Sequence, residues 1–294
     1  MSLHFFEVSD LLTYLKLKQT DEYRFEGTTP PGGFPRIFGG QVMAQSLSAA
    51  SQTVPGDRVV HSLHAYFLRP GNPSLPIQFE VDPIRDGKGF TTRRVVAKQN
   101  DKAIFNTSIS FQVPESGLEH QFDMPDVAAP ETLENDKDYW LRMHQLHPEA
   151  TDGHAPHFAQ AFDIRHCDRR DLLNPEAGEP RQDIWFKVDG ELPDNPAVHR
   201  VLLSYICDMS LMGTALRAHP ASFTSHHLQG ASLDHAMWFH DDFRADEWLL
   251  YHMDSPRSSQ ARGLNRGSIY TQDGRLVAST IQEGLMRVGD KKEF

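Results

Sequence analysis

An internal repeat restricts the possible folds of this chain more than any other feature of its sequence. The similar segments are SLHAYFLRP (62–70) with SLDHAMWFHDD (232–242), and DKAIFNTSISFQ (101–112) with DGRLVASTIQEG (273–284). The second pair aligns without gaps at a separation of 172 residues, which matches Ile109 with Ile281 and Ser110 with Gln282. We therefore expect the chain to fold as two similar units.

Each copy of the repeat contains one helical segment followed by four strand-like segments. The helical segments are GGQVMAQSLSAA (39–50) and NPAVHRVLLSYICDMSLMGTALRAH (195–219), and the second begins with a favourable N-cap residue, Asn195, before Pro196. The strand-like segments are about 59–68, 76–82, 90–99 and 103–112 in the first copy, and about 232–240, 247–254, 261–271 and 275–286 in the second. Turns such as RDGKG and TQDGR join consecutive strands as hairpins, so the sheets are predicted to be mainly antiparallel and the class to be α+β.

The second helical segment is apolar on nearly all sides, which predicts a helix enclosed by a curved sheet. Residues 114–158 contain few sustained apolar runs and are rich in Pro, Glu, Asp and Ala, as expected of a connector that crosses the surface. The sequence thus predicts an N-terminal domain at 1–113, a connector at 114–158 and a C-terminal domain at 159–294.

The composition excludes several classes of protein. With 39% hydrophobic, 10% aromatic and 23% charged residues, the chain is typical of a globular protein, and no run approaches the roughly 18 apolar residues of a membrane span. The 29 basic and 40 acidic residues give a net charge of −11, which disfavours nucleic acid and anionic membranes as partners. Cys167 and Cys207 form no disulfide framework, and neither end of the chain matches a targeting signal, so we expect a cytoplasmic protein with free thiols.

One carboxylate lies within an apolar segment of the second helix. Asp208 is surrounded by LLSYIC and MSLMGTAL, and an ionised group is costly to bury without a partner. A nearby arginine or backbone N–H group could satisfy this carboxylate, or the carboxylate could carry out chemistry. The residues alone leave both interpretations open.

Seven ordered blocks of the sequence resemble the acyl-CoA thioesterase II family. They are RIFGGQVMAQSL (36–47), VHSLHAYFLRPG (60–71), RDGKGFTTRRV (85–95), SLDHAMWFH (232–240), EWLLY (247–251), ARGLNRG (261–267) and YTQDGRLVASTIQEGLMR (270–287). The likeness covers nearly the full chain and is weakest in the connector. It implies a double hotdog fold, hydrolysis of fatty acyl-CoA without a metal or organic cofactor, and, together with exposed sheet edges, a homodimer or homotetramer.

The resemblance also implies which residues act. In the family, a water molecule is held by an aspartate of the second central helix, a hydroxyl residue before the DHxMWFH strand and a glutamine of the final strand; these match Asp208, Ser232 and Gln282. Serine keeps the hydroxyl but lacks the methyl group of the threonine that is frequent in the family. If Val277 and Ile281 face the helix, strand alternation turns Gln282 away from it unless a β-bulge intervenes.

A thioester carbonyl is open to attack by water once a base removes a proton and a donor stabilises the oxyanion. Asp208 supplies the base, and apolar surroundings should raise its pKa; direct attack by its carboxylate, giving an anhydride, is the alternative. The N–H of Gly40, in FGGQ (38–41) at the start of the first helix, is a candidate oxyanion donor. A tight turn that requires small residues explains Gly39 and Gly40 equally well.

The phosphates of coenzyme A require cations, and two basic clusters are available. They are Arg85, Lys88, Arg93 and Arg94, and Arg257, Arg262 and Arg266. From these we select Arg93, Arg94 and Arg262, together with His64, as candidate substrate-binding residues, although solvated surface charges would give the same pattern. His61 and His64 are expected on opposite faces of a strand, and no metal-ligand spacing or GxSxG motif occurs in the sequence.

Two other functions remain possible from the sequence. A hotdog-fold hydratase or dehydratase would require a His and carboxylate pair, and the helix carries no His near Asp208. A protein that binds acyl-CoA without catalysis would have little use for an acid in its core. Hydrolysis of acyl-CoA is therefore the expected activity.

Overall fold

The computed structural model describes residues 7–30, 35–147, 161–223 and 228–289. Its helices are α1 (Val8–Leu15), α2 (Gly39–Ser51), α3 (Asp136–Leu146), α4 (Pro196–Ile206), α5 (Asp208–Leu211) and α6 (Gly213–Leu216). Its strands are β1 (Lys18–Asp21), β2 (Arg24–Gly27), β3 (Val59–Phe67), β4 (Ile77–Asp86), β5 (Phe90–Gln99), β6 (Lys102–Gln112), β7 (Phe162–His166), β8 (Arg181–Val188), β9 (Leu228–Ser232), β10 (Asp234–Phe239), β11 (Leu249–Ser259), β12 (Arg262–Thr271) and β13 (Leu276–Val288). None of the helices in these ranges is long and apolar enough to span a membrane.

In the described residues the strands form one sheet in the order β1-β2-β4-β5-β6-β3-β10-β13-β12-β11-β8-β7, and β9 pairs with β13 beside this path. The order is symmetric about the central β3–β10 pair. With β9 set aside, each half places the four strands after its helix and the hairpin before its helix in the same order from the centre to the edge. The pairings between the named strands are antiparallel. The predicted α+β class is confirmed, and the two predicted sheets are joined into one.

The central helices α2 and α4 are enclosed by this sheet. In α2 the residues from Gly40 to Leu47 are buried, and in α4 those from His199 to Ile206 are buried. The predicted N-cap is confirmed, because the Asn195 side chain accepts the N–H of Ala197 at 3.1 Å.

The second helix is shorter than predicted and is followed by two short helices. The expected segment 195–219 is interrupted at Cys207 and again at Met212. The hydroxyl of Tyr251 donates to the carbonyl oxygen of Cys207 at 3.1 Å, so this carbonyl has a partner outside the helix at the interruption. Asp208 is the first residue after it.

The two central helices pack directly against each other, which brings the halves of the chain together. A Cβ atom on Gly40 would lie 2.1 Å from the carbonyl oxygen of Tyr205, so only glycine permits this approach. The ring of Phe38 meets that of Tyr205 edge to face, with 5.1 Å between centroids. The start of α2 therefore lies beside the end of α4.

A β-bulge shifts the register of the repeat by one residue. In β6 the bulge falls at Ile104, and in β13 it falls at Val277. Phe105 lies opposite Ala97, and Ala278 lies opposite Ile269, so these strands match at a separation of 173 residues rather than 172. The matches of Ile109 with Ile281 and of Ser110 with Gln282 are therefore wrong.

The corrected register decides which side chains of β13 face the helix. Gln282 corresponds to Ile109, and both are buried at 0% and 1% exposure. Val277 and Ala278 are both buried because of the bulge, whereas Ile281 is 37% exposed on the other face. The β-bulge at Val277 therefore lets Gln282 point towards the helix.

Two hairpins and a connector helix were not predicted from the sequence. The hairpins β1–β2 and β7–β8 precede the central helices, and α3 lies within the connector. The described part of the connector crosses the outer face of the C-terminal half, where Gln121 bonds to Gly274 and Leu276 and where Trp185 donates to Ala128. The predicted domain boundaries at 113 and 158 remain predictions.

Candidate active site

The carboxylate of Asp208 is almost completely buried, with a side-chain exposure of 4%. Its Oδ1 atom accepts hydrogen bonds from Gln282 Nε2 at 2.5 Å and from Ser232 Oγ at 3.2 Å, and the carboxylate also accepts the N–H of Gly40. Among the described residues, no lysine or arginine forms an ion pair with it. Neutral donors therefore hold this carboxylate.

Four elements from both halves position these groups. Asp208 begins α5, Ser232 ends β9, Gln282 lies in β13 and Gly40 lies in the first turn of α2. Ser232 is placed opposite Gly284 by the β9–β13 pairing, two residues from Gln282. The three residues that the family resemblance predicts to act together are thus brought into contact.

Burial raises the pKa of Asp208, and the hydrogen bonds from Gln282, Ser232 and the N–H of Gly40 oppose the rise without cancelling it. The apolar sequence around Asp208 predicts a raised pKa, and burial in the fold shifts the pKa in that direction. A carboxylate of raised pKa is a better proton acceptor than an exposed one. Asp208 can consequently act as a base once it is ionised.

The start of α2 is shaped around the Asp208 carboxylate. A Cβ atom on Gly39 would lie 2.5 Å from Asp208 Oδ2, so a side chain there would displace the carboxylate. The N–H of Gly40 donates to the same carboxylate, and Gly40 is also the point of closest helix packing. Close packing thus accounts for both glycines, and the oxyanion role of Gly40 remains a prediction.

A histidine that the sequence interpretation overlooked lies next to the carboxylate. His235 Nδ1 is 3.9 Å from Asp208 Oδ1, and His235 Nε2 is 3.4 Å from the sulfur of Cys207. The residue is fully buried, and burial lowers its pKa to about 3, so the ring is neutral. His235 lies on β10 and not on the helix. Its position two residues before the buried Met237 is the sequence signal for its inward direction, because alternate residues of a strand share a face.

The predicted substrate-binding residues do not converge on this carboxylate. Arg93 is 2% exposed. Its guanidinium binds Thr53, just after the end of α2, and Asp86, at the end of β4, so its donors are occupied by the protein. Arg94 and Arg262 are exposed in part and pair with Asp82 and Glu283, respectively.

His64 lies on the outer face of the sheet, away from the central helices. It is exposed, and its ring meets that of Trp238 edge to face at 5.1 Å between centroids. His61 also faces outward, because a register shift between Val60 and Ser62 reverses the alternation of β3, and it bonds to Ser110 Oγ at 2.8 Å. The expectation that His61 and His64 lie on opposite faces is therefore wrong.

The site brings together a buried base and several neutral polar groups. Two buried polar atoms beside Asp208, namely His235 Nδ1 and Gln282 Oε1, have no hydrogen-bond partner within the described part of the chain. Within the same residues, no group of three or more His, Cys, Asp or Glu side chains has an arrangement that could hold a metal ion. The arrangement is suited to accepting a proton and orienting a small polar molecule.

Family models match both halves of the chain. The model described as acyl-CoA thioesterase N-terminal domain matches residues 25–112, and the model described as acyl-CoA thioesterase matches residues 156–285. Acyl-CoA thioesterase 2 of Haemophilus influenzae is 39% identical over 288 residues, which cover 96% of this chain and 99% of that protein. Acyl-coenzyme A thioesterase 8 of Homo sapiens is 38% identical over 284 residues, which cover 94% of this chain and 88% of that protein.

Solved structures agree with these matches. An acyl-CoA thioesterase II from Mycobacterium marinum superposes with a TM-score of 0.78 at 40% identity, covering 94% of this chain and 98% of its own. A hot dog fold protein of unknown function from Alicyclobacillus acidocaldarius gives a TM-score of 0.76 at 18% identity, covering 94% and 97%, and so shares the fold alone. The predicted double hotdog fold is confirmed, and the chain belongs to the acyl-CoA thioesterase family, a family of thioester hydrolases.

Proposed function

We propose that this protein hydrolyses fatty acyl-CoA thioesters to free fatty acid and coenzyme A. In this proposal Asp208 is the base that activates water, and Ser232 and Gln282 hold the Asp208 carboxylate in place. The observation that carries the proposal is the buried Asp208 carboxylate, which is held by neutral donors and is not paired with a cation. Burying an ionised carboxylate without a cation is costly, so its presence here favours a chemical role. The relatives named above are thioesterases of acyl-CoA, which is the substrate proposed here.

The reaction needs one water molecule and no change in oxidation state. Asp208 takes a proton from water as the water oxygen bonds to the carbonyl carbon of the thioester, giving a tetrahedral intermediate. The carbon–sulfur bond then breaks, and the departing thiolate of coenzyme A takes the proton from Asp208. Asp208 is thereby ionised again for the next turnover.

The direct alternative is attack by the Asp208 carboxylate itself, which would give a mixed anhydride and release the thiol before water reacts. A single turnover in water enriched in oxygen-18 detects the anhydride route where water opens the anhydride at the Asp208 carbonyl carbon. General-base catalysis places the label in the fatty acid during that first turnover. Label in the Asp208 carboxylate, with none in the fatty acid, would support the anhydride route instead.

The basic test is release of thiol from acyl-CoA substrates of short to long chain, since the preferred length is open. Asp208→Asn should lower kcat by about 10²- to 10⁴-fold, the contribution of a positioned base. The matched control is Asp82→Asn, which removes an exposed carboxylate paired with Arg94 in the N-terminal half. Asp208→Asn with kcat close to that of the control would exclude Asp208 as the base.

The two other functions give different results in the same experiments. A binding protein would retain acyl-CoA tightly and release no thiol. The closeness of His235 to Asp208 is the one observation that favours a hydratase, and such an enzyme would add water to an enoyl-CoA. Hydration of enoyl-CoA without thiol release from acyl-CoA would show that the protein is a hydratase and not the proposed thioesterase.

A further inference from the structure

His235 is a polar residue in a position where the fold requires only packing. It is 0% exposed, and its Nδ1 atom is one of two buried polar atoms beside Asp208 that lack a hydrogen-bond partner within the described residues. The other is Gln282 Oε1. A buried polar atom without a partner destabilises the fold, so two at one place call for an explanation.

The N-terminal half supplies an internal comparison for this position. Ala65 lies opposite Thr107, and Met237 lies opposite Thr280 at the matching place in the other half. Two residues earlier in β3 is Leu63, which lies opposite Ile109, and the corresponding residue of β10 is His235. Leucine therefore fills in one half the position that histidine fills in the other, and Leu63 is also fully buried.

We propose that His235 is a positioning residue for the hydrolytic water, acting as a neutral donor through its Nδ1–H group; this inference rests on the proposed function. The distance of 3.9 Å from His235 Nδ1 to Asp208 Oδ1 is too long for a direct hydrogen bond. One water molecule can span it with two hydrogen bonds of about 2.8 Å.

The proposal assigns the ring proton of His235 to Nδ1, which requires the Cys207 thiol to donate to Nε2 rather than to the carbonyl oxygen of Ser204, 3.5 Å from the sulfur. Burial raises the pKa of Cys207 well above its ordinary value, so this thiol keeps its proton, and its sulfur is 3.4 Å from His235 Nε2. If the thiol donates to Nε2, the ring proton resides on Nδ1, where it faces the carboxylate side of the site. Because burial also lowers the pKa of His235 to about 3, the ring neither gains nor loses a proton during turnover.

These groups together orient the water at all of its bonding positions. The water donates one proton to Asp208 and the other to Gln282 Oε1, and one lone pair accepts the Nδ1–H of His235. The second lone pair is then left to attack the thioester carbonyl carbon. The transferred proton goes to Asp208 alone, and His235 and Gln282 finish the step unchanged.

Three substitutions of His235 separate donation from packing. His235→Leu copies the residue of the N-terminal half, His235→Asn places an amide N–H near the position of Nδ1, and His235→Gln places one near the position of Nε2. With a long-chain acyl-CoA as the probe, His235→Leu and His235→Gln should lower kcat by about 10²-fold with KM unchanged, the usual loss for one donor at a reacting oxygen. His235→Asn should recover most of the loss, to within about tenfold of the parent protein.

The matched control is Leu63→Met, which changes the corresponding position in the half without the carboxylate while conserving volume. It should leave kcat unchanged. His235→Leu with the kcat of the parent protein would overturn the proposal, and so would His235→Asn that folds normally but is as slow as His235→Leu. If His235→Leu does not fold, the contrast between His235→Asn and His235→Gln decides the matter by itself.

The failure of this inference is distinguishable from the failure of the proposed function. If the parent protein releases no thiol from any acyl-CoA, the proposed function is wrong. If the parent protein is active, Asp208→Asn is inactive and the His235 variants retain full kcat, then only the role of His235 is wrong.

Discussion

The two halves of the sheet share strand order and register, but they differ in the polarity of the side chains that face the central helices. The N-terminal half places Leu63 opposite Ile109 at the positions where the C-terminal half has His235 and Gln282. All four side chains are buried. Packing alone is therefore satisfied by apolar residues at this place in the fold, and the polar pair occurs in the half that carries Asp208.

A second difference between the halves involves Tyr251. Phe79 lies opposite Ala97 in the N-terminal half, and Tyr251 lies opposite Ile269 at the corresponding place in the C-terminal half. The hydroxyl that distinguishes tyrosine donates to the carbonyl of Cys207, just before Asp208, and contacts Thr280 Oγ1 at 2.7 Å. The polar differences between the halves thus concentrate around one helix interruption.

A neighbouring glycine accommodates this tyrosine. A Cβ atom on Gly267 would lie 2.2 Å from the ring of Tyr251, whereas the corresponding residue in the N-terminal half is the buried Val95. The comparison indicates that the N-terminal half acts mainly as a scaffold. Its direct contribution to the site is the glycine start of α2, which leaves room for Asp208 and donates one N–H to it.

Among substitutions that copy a residue of one half into the other, the largest effect is expected at Gln282. Gln282→Ile should lower kcat by about 10²- to 10³-fold, because Asp208 loses its shortest hydrogen bond and the water loses an acceptor. Thiol release measures kcat, and thermal unfolding checks the fold. The control Ile109→Val should cost about 0.5 to 1.5 kcal/mol of unfolding free energy and leave kcat unchanged. Equal kcat values for the two variants would remove the distinction between the halves.

The contact between the halves can be tested at Gly40. Gly40→Ala should lower the free energy of unfolding by about 1 to 3 kcal/mol, because the added Cβ would lie 2.1 Å from the carbonyl oxygen of Tyr205 and the helices must separate. Urea denaturation measures the change. Gly56→Ala is the control, since a Cβ atom there meets nothing within 4 Å. A Gly40→Ala protein as stable as this control would refute the close packing of α2 against α4.

Substitutions of Arg93 and Arg94 compare a buried cation that stabilises the N-terminal half with an exposed one. Arg93→Met should cost about 1 to 3 kcal/mol of unfolding free energy, because the carbonyl of Thr53 and other acceptors lose a buried donor, while KM for acyl-CoA stays unchanged. Arg94→Met should leave stability unchanged, since its side chain is exposed. Denaturation and steady-state kinetics measure the two quantities. A rise in KM for Arg93→Met at unchanged stability would instead support Arg93 as a substrate-binding residue.

The smallest effect is expected at Ser232. Its hydroxyl donates to Asp208 Oδ1 at 3.2 Å, a longer bond than that from Gln282. Ser232→Ala should therefore lower kcat by about tenfold, consistent with the loss of a hydrogen bond to a charged group. Ser232→Thr keeps the hydroxyl and should retain the parent kcat. A Thr variant as slow as the Ala variant would show that the hydroxyl is not the relevant group.

Much of the fold followed from local signals in the sequence. Hairpin turns predicted the antiparallel strands, the Asn195–Pro196 pair predicted the start of α4, and an acidic residue in an apolar helix pointed to Asp208. These features depend on neighbouring residues along the chain, which a sequence displays directly.

What the sequence did not predict depends on register and on distant contacts. The bulge at Val277 carries no local signature, yet a shift of one residue exchanges the two faces of a strand and changes the counterpart of Gln282 from Ser110 to Ile109. His235 reaches Asp208 only because β10 closes over the helix. The partners of Arg93 likewise become visible only once β5 packs against the end of α2.

The most direct test of the central claim is the pH dependence of kcat/KM for thiol release, measured on the parent protein and on Asp208→Asn. The base must be ionised to accept a proton, and burial raises the pKa of Asp208 above the ordinary 3.8, so activity should rise with pH through a midpoint above 3.8. The residual activity of Asp208→Asn should lack this rise. A midpoint at or below 3.8, or the same rise persisting in Asp208→Asn, would contradict the assignment of Asp208 as the base.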